Sequence, residues 1–291
     1  MVYRALAFAI ILLAIVWITR GDPEIIANLN VRPFTKATEP GPAQPTSLSP
    51  SLPEPTAGGG QSSTSRRPPL PANLHLQSAL VKYLGSPSAL LGLNTSQRWP
   101  IASLTKLLTA AVALENIKPS PNVTDLIKLM IFTSQNEAAE KLANLYQCQT
   151  PCLSPREEFI RLMQAKAQAL AMTDTIILDP AGLSFINQST VQDLEKLVIY
   201  LAKRHPQIFQ LTREEKIVVN GREFTNPNKF AGQANFMGGK TGYTDEASGN
   251  IISIFEHQGQ PLLIIALGAA NKVERSTQTK ILFEWTTRFS K

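Results

Sequence analysis

The sequence predicts an α+β domain in which strands from both ends of the folded part form one antiparallel sheet around a helical middle. Three observations carry that reading. Two short apolar runs, 77–84 and 88–94, come before any helical pattern. Segments of helical period then fill the middle, from Ser103 to Pro206. Three strand-like runs and one closing helix end the chain.

In chain order, the first element is apolar. Ala5 to Thr19 carries no charge, with Arg4 before it and Arg20, Asp22 and Glu24 after it. The run is too apolar for a surface helix and slightly short of the ~17–25 residues of a spanning helix. Trp17-Ile18-Thr19-Arg20 offers no small-x-small cleavage site. Residues 1–20 are therefore expected to be a membrane anchor or, alternatively, a cleaved signal segment. Either places the rest of the chain outside the cytoplasm.

Residues 21–73 read as a disordered Pro/Ser/Gly-rich linker: ten of the 21 prolines fall between residues 33 and 73. Without periodic apolar residues it cannot bury enough surface to offset its ordering entropy. As a flexible coil it reaches ~40 Å, a spacer between bilayer and substrate. The folded domain is then 74–291.

Within that domain, 77–84 and 88–94 flank Gly85-Ser86-Pro87 and form a hairpin. Ser103 opens a helical pattern free of Gly and Pro until Pro119. Further helices are expected in 123–132, 136–146 and 154–172, the last with Ser154 as cap, Pro155 at the first position and two Glu in the first turn. Ser189 or Thr190 caps the next, which stops at Pro206. Three strands follow in 236–243, 250–256 and 261–269, and a last helix runs from about Asn271 to Arg288.

Composition narrows the function classes. There are 28 Lys+Arg against 22 Asp+Glu, a net charge of +6, with no dense basic block, so nucleic acid is not an expected partner. Two Cys exclude a disulfide framework, and His75, His205 and His257 are too scattered for a zinc cluster; no metal or cofactor is expected. Outside the cytoplasm Cys148 and Cys152 can pair; the alternative is two free thiols.

Three short motifs carry chemistry. Ser103 and Lys106 are three apart on a helical turn and share a face. A Ser hydroxyl is a poor nucleophile until a base takes its proton, and a Lys whose pKa is lowered can be that base. Taken alone, the pattern reads first as a helix cap followed by a solvated Lys. Ser134 and Asn136 lie where a helix begins, a hydroxyl and an amide able to face one cleft. Ser248-Gly249-Asn250 repeats their pattern and reads as a turn before a strand. Lys240-Thr241-Gly242 sits in a glycine-rich strand, where glycines often mark close approach by a ligand or another backbone.

In this order and with their surroundings, these motifs resemble the penicillin-binding proteins and serine β-lactamases. The segments PIASLTKLLTAAVALE, TSQNEAAEKLA, LDPAGLS, GREFTNPNKF and GGKTGYTDEASGN are similar to the low-molecular-weight penicillin-binding proteins that act as D-alanyl-D-alanine carboxypeptidases. The resemblance covers about residues 76 to 290 and implies their transpeptidase-like fold, an acyl-enzyme on Ser103 and removal of the terminal D-Ala from peptidoglycan stem peptides. It implies Ser103 as nucleophile, Lys106 as base and Ser134 as proton relay. Asn136 would bind the substrate amide, and Lys240, Thr241 and Gly242 would line the opposite edge, with Lys240 helping to keep Lys106 neutral. The backbone N–H groups of Ser103 and Tyr243 would form the oxyanion hole, and Arg275 would meet the terminal carboxylate.

β-Lactams are the implied covalent inhibitors, and a monomer tethered by its N-terminal helix is expected. Only 31 positions separate Ser103 from Ser134, fewer than is usual in the family, so one flank of the cleft is expected to be open. A decayed wall-binding homologue is an alternative. So is a β-lactamase, although IILDPAGLSFINQST lacks the Glu that a class A enzyme uses for deacylation.

Overall fold

The computed structural model describes residues 69–149, 151–152 and 154–289. The N-terminal apolar run and the expected linker up to residue 68 lie outside the described residues. From Pro69 the chain already lies on the domain, five residues before the expected boundary at 74. The Pro69 carbonyl accepts from Trp285 Nε1 at 2.9 Å, and the Asn73 carbonyl from Gln278 Nε2 at 3.4 Å.

A five-stranded antiparallel sheet runs β2-β1-β9-β8-β7, with β1 Ser78–Tyr83, β2 Leu91–Leu93, β7 Phe236–Thr244, β8 Ser248–His257 and β9 Gln260–Ala269. The strands of the first hairpin join those of the last third through β1 and β9, as the sequence predicts. β8 and β9 are near-continuous apolar runs because both their faces are covered. Ile252, Ile254, Leu263 and Ile265 face the helical layer, while Ile251, Phe255, Leu262 and Ile264 face the closing helix on the other side.

The helical layer holds α1 Thr105–Asn116, α2 Pro121–Phe132, α3 Asn136–Leu145, α4 Pro155–Ala169, α5 Val191–Arg204 and α6 Gln207–Arg213; α7 Glu274–Phe289 closes the chain. Ser120, Ser154 and Thr190 cap α2, α4 and α5 by accepting from the backbone N–H three residues on. Leu194, Leu197, Val198 and Leu201 form the buried stripe of α5; burying each stabilises by roughly 1.5–3 kcal/mol. Only 117–120 separates α1 from α2, so the short segment between the first two motifs is accommodated by a tight connection.

Two elements are additional to the sequence reading: α6, and a hairpin of β5 Lys216–Val219 and β6 Arg222–Thr225. Short β3 Trp99–Pro100 and β4 Gln188–Ser189 also pair. Cys148 and Cys152 form a disulfide between α3 and α4. The histidines described in contacts have structural roles: His205 Nε2 lies 2.9 Å from Glu115, which also accepts from Tyr200 and pairs with Lys166, and His257 Nδ1 lies 2.6 Å from Tyr83 Oη.

Candidate active site

Ser103 does not open the α-helix. It sits in a 3-10 turn, Ala102–Leu104, and α1 begins at Thr105. The face-sharing of Ser103 and Lys106 survives because side chains three apart eclipse in a 3-10 turn. Ala102, immediately before the serine, has φ +47, a left-handed conformation for a residue with a Cβ.

Lys106 is fully buried. Its Nζ donates to Ser103 Oγ at 2.8 Å, Asn136 Oδ1 at 2.8 Å and the Ala181 carbonyl at 2.5 Å. Two of these acceptors are carbonyl oxygens, which cannot donate. When the amine loses a proton, its lone pair therefore has one hydroxyl to face, that of Ser103. Burial lowers the Lys106 pKa to about 8, against the opposing charges of Asp179, Glu137 and Glu140. Desolvation is thus the largest cause.

Ser134 has φ +65 and does not cap α3; its Oγ accepts from Lys240 Nζ at 2.8 Å. Lys240 also donates to the Thr241 carbonyl at 2.9 Å and is almost fully buried, 2% exposed. Burial first, then the cations Lys106 and Arg275, hold its pKa well below the usual lysine range. Register explains its reach: Lys240 pairs with Ile252, which faces the helical layer, whereas Thr241 pairs with Ile251 on the other face. The site therefore joins the start of α1, the turn before α3 and edge strand β7.

Gly242 is where β7 meets the serine turn. A Cβ there would lie 2.9 Å from the Ile101 carbonyl and 3.1 Å from the Ser103 nitrogen. Tyr243 follows it, with its hydroxyl donating to Asp245 at 3.1 Å and Lys272 over its ring. Arg275, in the first turn of α7, is buried; its NH1 donates to the Gly242 carbonyl at 2.9 Å, while Nε is a buried donor without a partner. Burial lowers its pKa to about 10. The second Ser-Gly-Asn, expected as a turn before a strand, instead forms the first three residues of β8, after the turn at 245–247. Asn250 Nδ2 donates to the Pro100 carbonyl at 2.8 Å, and its Oδ1 accepts from the Gly268 N–H at 2.9 Å.

The loop 178–187 contributes what sequence reasoning missed. Asn187 Nδ2 donates to Thr105 Oγ1 at 3.3 Å, Thr109 Oγ1 to the Pro180 carbonyl at 2.6 Å, and Lys106 to Ala181. One face of α1 is thereby bonded to this loop. Gly182, at φ +78, lies so close that a Cβ would come 1.9 Å from the Ala102 carbonyl. Gly182→Ala is expected to destabilise by roughly 2–4 kcal/mol, from overpacking plus left-handed strain. Thermal denaturation checks it; an unchanged melting temperature would show that the loop yields freely. The available signal was Asp179-Pro180 followed by Gly182, a side-chain-directed turn.

A serine hydroxyl beside a buried amine of lowered pKa, at the edge of an antiparallel sheet, defines a serine acyl-transferring hydrolase. The comparisons narrow that class. The family model for D-alanyl-D-alanine carboxypeptidases, peptidase family S11, matches residues 120–271, more than half of the chain, and takes in Ser134, Asn136 and Lys240. The chain belongs to this family of serine hydrolases. It is 29% identical over 265 residues to the D-alanyl-D-alanine endopeptidase of Pseudomonas aeruginosa, covering 76% of this chain and 82% of the relative. It is 27% identical over 248 residues to the D-alanyl-D-alanine carboxypeptidase DacB2 of Mycobacterium tuberculosis, covering 72% and 81%. The ampicillin-bound structure of penicillin-binding protein D2 from Listeria monocytogenes superposes with a TM-score of 0.65 at 27% identity, covering 75% of this chain and 98% of that one.

Proposed function

We propose that this chain removes the terminal D-Ala from peptidoglycan stem peptides through an acyl-enzyme on Ser103. The observation that carries the proposal is the Lys106 amine, 2.8 Å from the hydroxyl and otherwise bonded to two carbonyl oxygens. Ser103 Oγ attacks the carbonyl carbon of the penultimate D-Ala as its proton passes to Lys106. The oxyanion is met by the backbone N–H groups of Ser103 and Tyr243. The C–N bond then breaks, and the leaving D-Ala nitrogen takes a proton through Ser134, which Lys240 orients. Water then cleaves the ester. Asn136, Lys240 and the backbone edge of β7 at Thr241 and Gly242 hold the peptide in the cleft. A β-lactam enters the same path, but its leaving nitrogen stays tethered to the acyl group.

The disulfide Cys148–Cys152 supports a place outside the cytoplasm, since such bonds persist in oxidising compartments. Tethering through residues 1–20 and a monomeric state are part of the same proposal. Among the described residues no helix is long and apolar enough to cross a membrane.

An endopeptidase acting on cross-linked stems is the second reading, favoured by the name of the Pseudomonas relative. Mass spectrometry of products from a free pentapeptide and from a cross-linked dimer separates the two. Release of D-Ala from the pentapeptide is expected; cleavage of the dimer alone would replace the carboxypeptidase reading.

Recognition of the terminal carboxylate is assigned to Lys240 and to Arg275, whose Nε–H lacks a partner. Charge-assisted hydrogen bonds contribute roughly 1.5–3 kcal/mol each, so Arg275→Ala should lower kcat/KM for peptides ending in D-Ala by ~10–100-fold. An amide-capped peptide should lose little further. Equal losses on both would mean that Arg275 serves only to hold the Gly242 carbonyl.

A further inference from the structure

We infer that Asp179 is a positioning residue for the acylation step: its carboxylate folds the 179–184 turn so that the Ala181 carbonyl is presented to Lys106. The inference rests on Lys106 being the base.

The geometry is that of a side chain serving as the hub of a turn. Asp179 Oδ1 accepts from the backbone N–H groups of Ala181 at 2.8 Å, Gly182 at 2.6 Å and Leu183 at 3.1 Å. Oδ2 accepts from Ser184 N–H at 2.8 Å. Four successive amides converge on one buried carboxylate. Amides that point inward at a common centre turn their carbonyls outward, and the Ala181 carbonyl is the one that reaches Lys106 Nζ, 2.5 Å away. The base of the turn is fixed independently. Asn187 Oδ1 accepts from the Leu178 and Asp179 N–H groups, and Asn187 Nδ2 donates to the Asp179 carbonyl at 2.8 Å.

The Ala181 carbonyl matters because of how the amine must be held. A neutral amine has two N–H bonds and one lone pair. Asn136 Oδ1 and Ala181 O take the two N–H bonds, leaving the lone pair for the Ser103 proton. Without a fixed Ala181 carbonyl, the amine is free to rotate an N–H toward Ser103, and the hydroxyl proton has no acceptor. Asp179 thus acts on the serine at two removes, through the turn and through the lysine.

Its charge acts on the same amine. The charged groups facing Lys106 are Asp179 from the turn, Glu137 and Glu140 from α3, and Lys240 from β7; Arg156 of α4 faces Asp179. Asp179 is the largest of the carboxylate influences that raise the lysine's affinity for its proton. A neutral residue at 179 therefore makes Lys106 deprotonate at lower pH while holding it less well. Those two effects have opposite signs at neutral pH, and this separates them from a general loss of stability.

The experiment is the rate of acylation by a fluorescent penicillin across pH 6–10, per titrated active site, for wild type, Asp179→Asn and Lys106→Ala. Asn keeps the shape, but its NH2 group confronts an amide N–H where the carboxylate accepted one. Asp179→Asn is expected to lower the high-pH plateau by ~10–100-fold, the scale of a misplaced catalytic contact. It should also move the midpoint of the profile to lower pH. A wild-type plateau or an unmoved midpoint overturns the inference, whatever happens to the melting temperature. Should Asp179→Asn fail to melt cooperatively, Asp179→Ser, which can accept from one amide and brings no donor–donor clash, is measured in its place with the same expectations. Lys106→Ala acylating at the wild-type rate would overturn the base assignment instead, a distinct result.

Discussion

Ser103→Ala protein incubated with a fluorescent penicillin is expected to carry no label, while the wild type is labelled stoichiometrically. The expectation follows from the assignment of Ser103 as the nucleophile. Its Oγ lies 2.8 Å from the Lys106 amine, whose other two partners are carbonyl oxygens. Ser134, the other site hydroxyl, accepts from Lys240, itself pinned to the Thr241 carbonyl. The substitution removes a small group from a turn whose backbone is held by Gly182 and Gly242, so the fold should persist. Residual label on a mapped peptide containing Ser134 would transfer the nucleophile to that residue. Label anywhere outside the cleft would dismiss the constellation altogether.

The second large effect concerns the base and its pH dependence. Only the neutral amine accepts a proton, and burial has set the Lys106 pKa at about 8. Below that value the neutral fraction falls tenfold per pH unit, to about a tenth at pH 7. The acylation rate should therefore rise with pH through 7 and level off above about 8. The direction is fixed by chemistry: a base works in its deprotonated form, so acidification slows it. Lys106→Ala should cost at least ~10²-fold in acylation and flatten the profile over that range. Stopped-flow acylation of both proteins, with circular dichroism to verify folding, tests this. A mutant that keeps the sigmoid rise would assign the titration to another group, Lys240 being the first to substitute.

Much of this arrangement was legible because its parts are local. Ser103 and Lys106 are three residues apart, and any helical turn brings them together. The apolar runs of β8 and β9 announce strands covered on both faces. What the sequence withheld was either short or mediated by backbone. The seven residues of α6 are too few to establish a helical period. The β5–β6 hairpin did carry a signal, Asn220-Gly221, both at positive φ, which is the pairing favoured in two-residue turns. The Ala181 carbonyl could not be read at all, since every residue has one and only the turn decides which is used. Arg275 was read only as a partner of the terminal carboxylate; that it holds the Gly242 carbonyl of β7 depends on how α7 packs. The lowered Lys106 pKa was anticipated from its role as a base, but how deeply it is buried could not be read, because burial depth is a property of the whole core.

The pairing of β1 with β9 has a consequence for biogenesis. Residues 78–83 hydrogen-bond to 262–267, so the sheet joins segments separated by most of the domain. Such non-local pairing makes folding slow, because loop closure precedes its reward. During synthesis the serine turn and its lysine emerge well before β7, which supplies Lys240 and closes against Ser103 at Gly242. A growing or truncated chain therefore holds Ser103 and Lys106 without the third wall of the cleft. Such a chain is expected not to be acylated until its last strands have been delivered and docked. Penicillin labelling during refolding would then report completion of the entire sheet, with no signal from partly assembled forms.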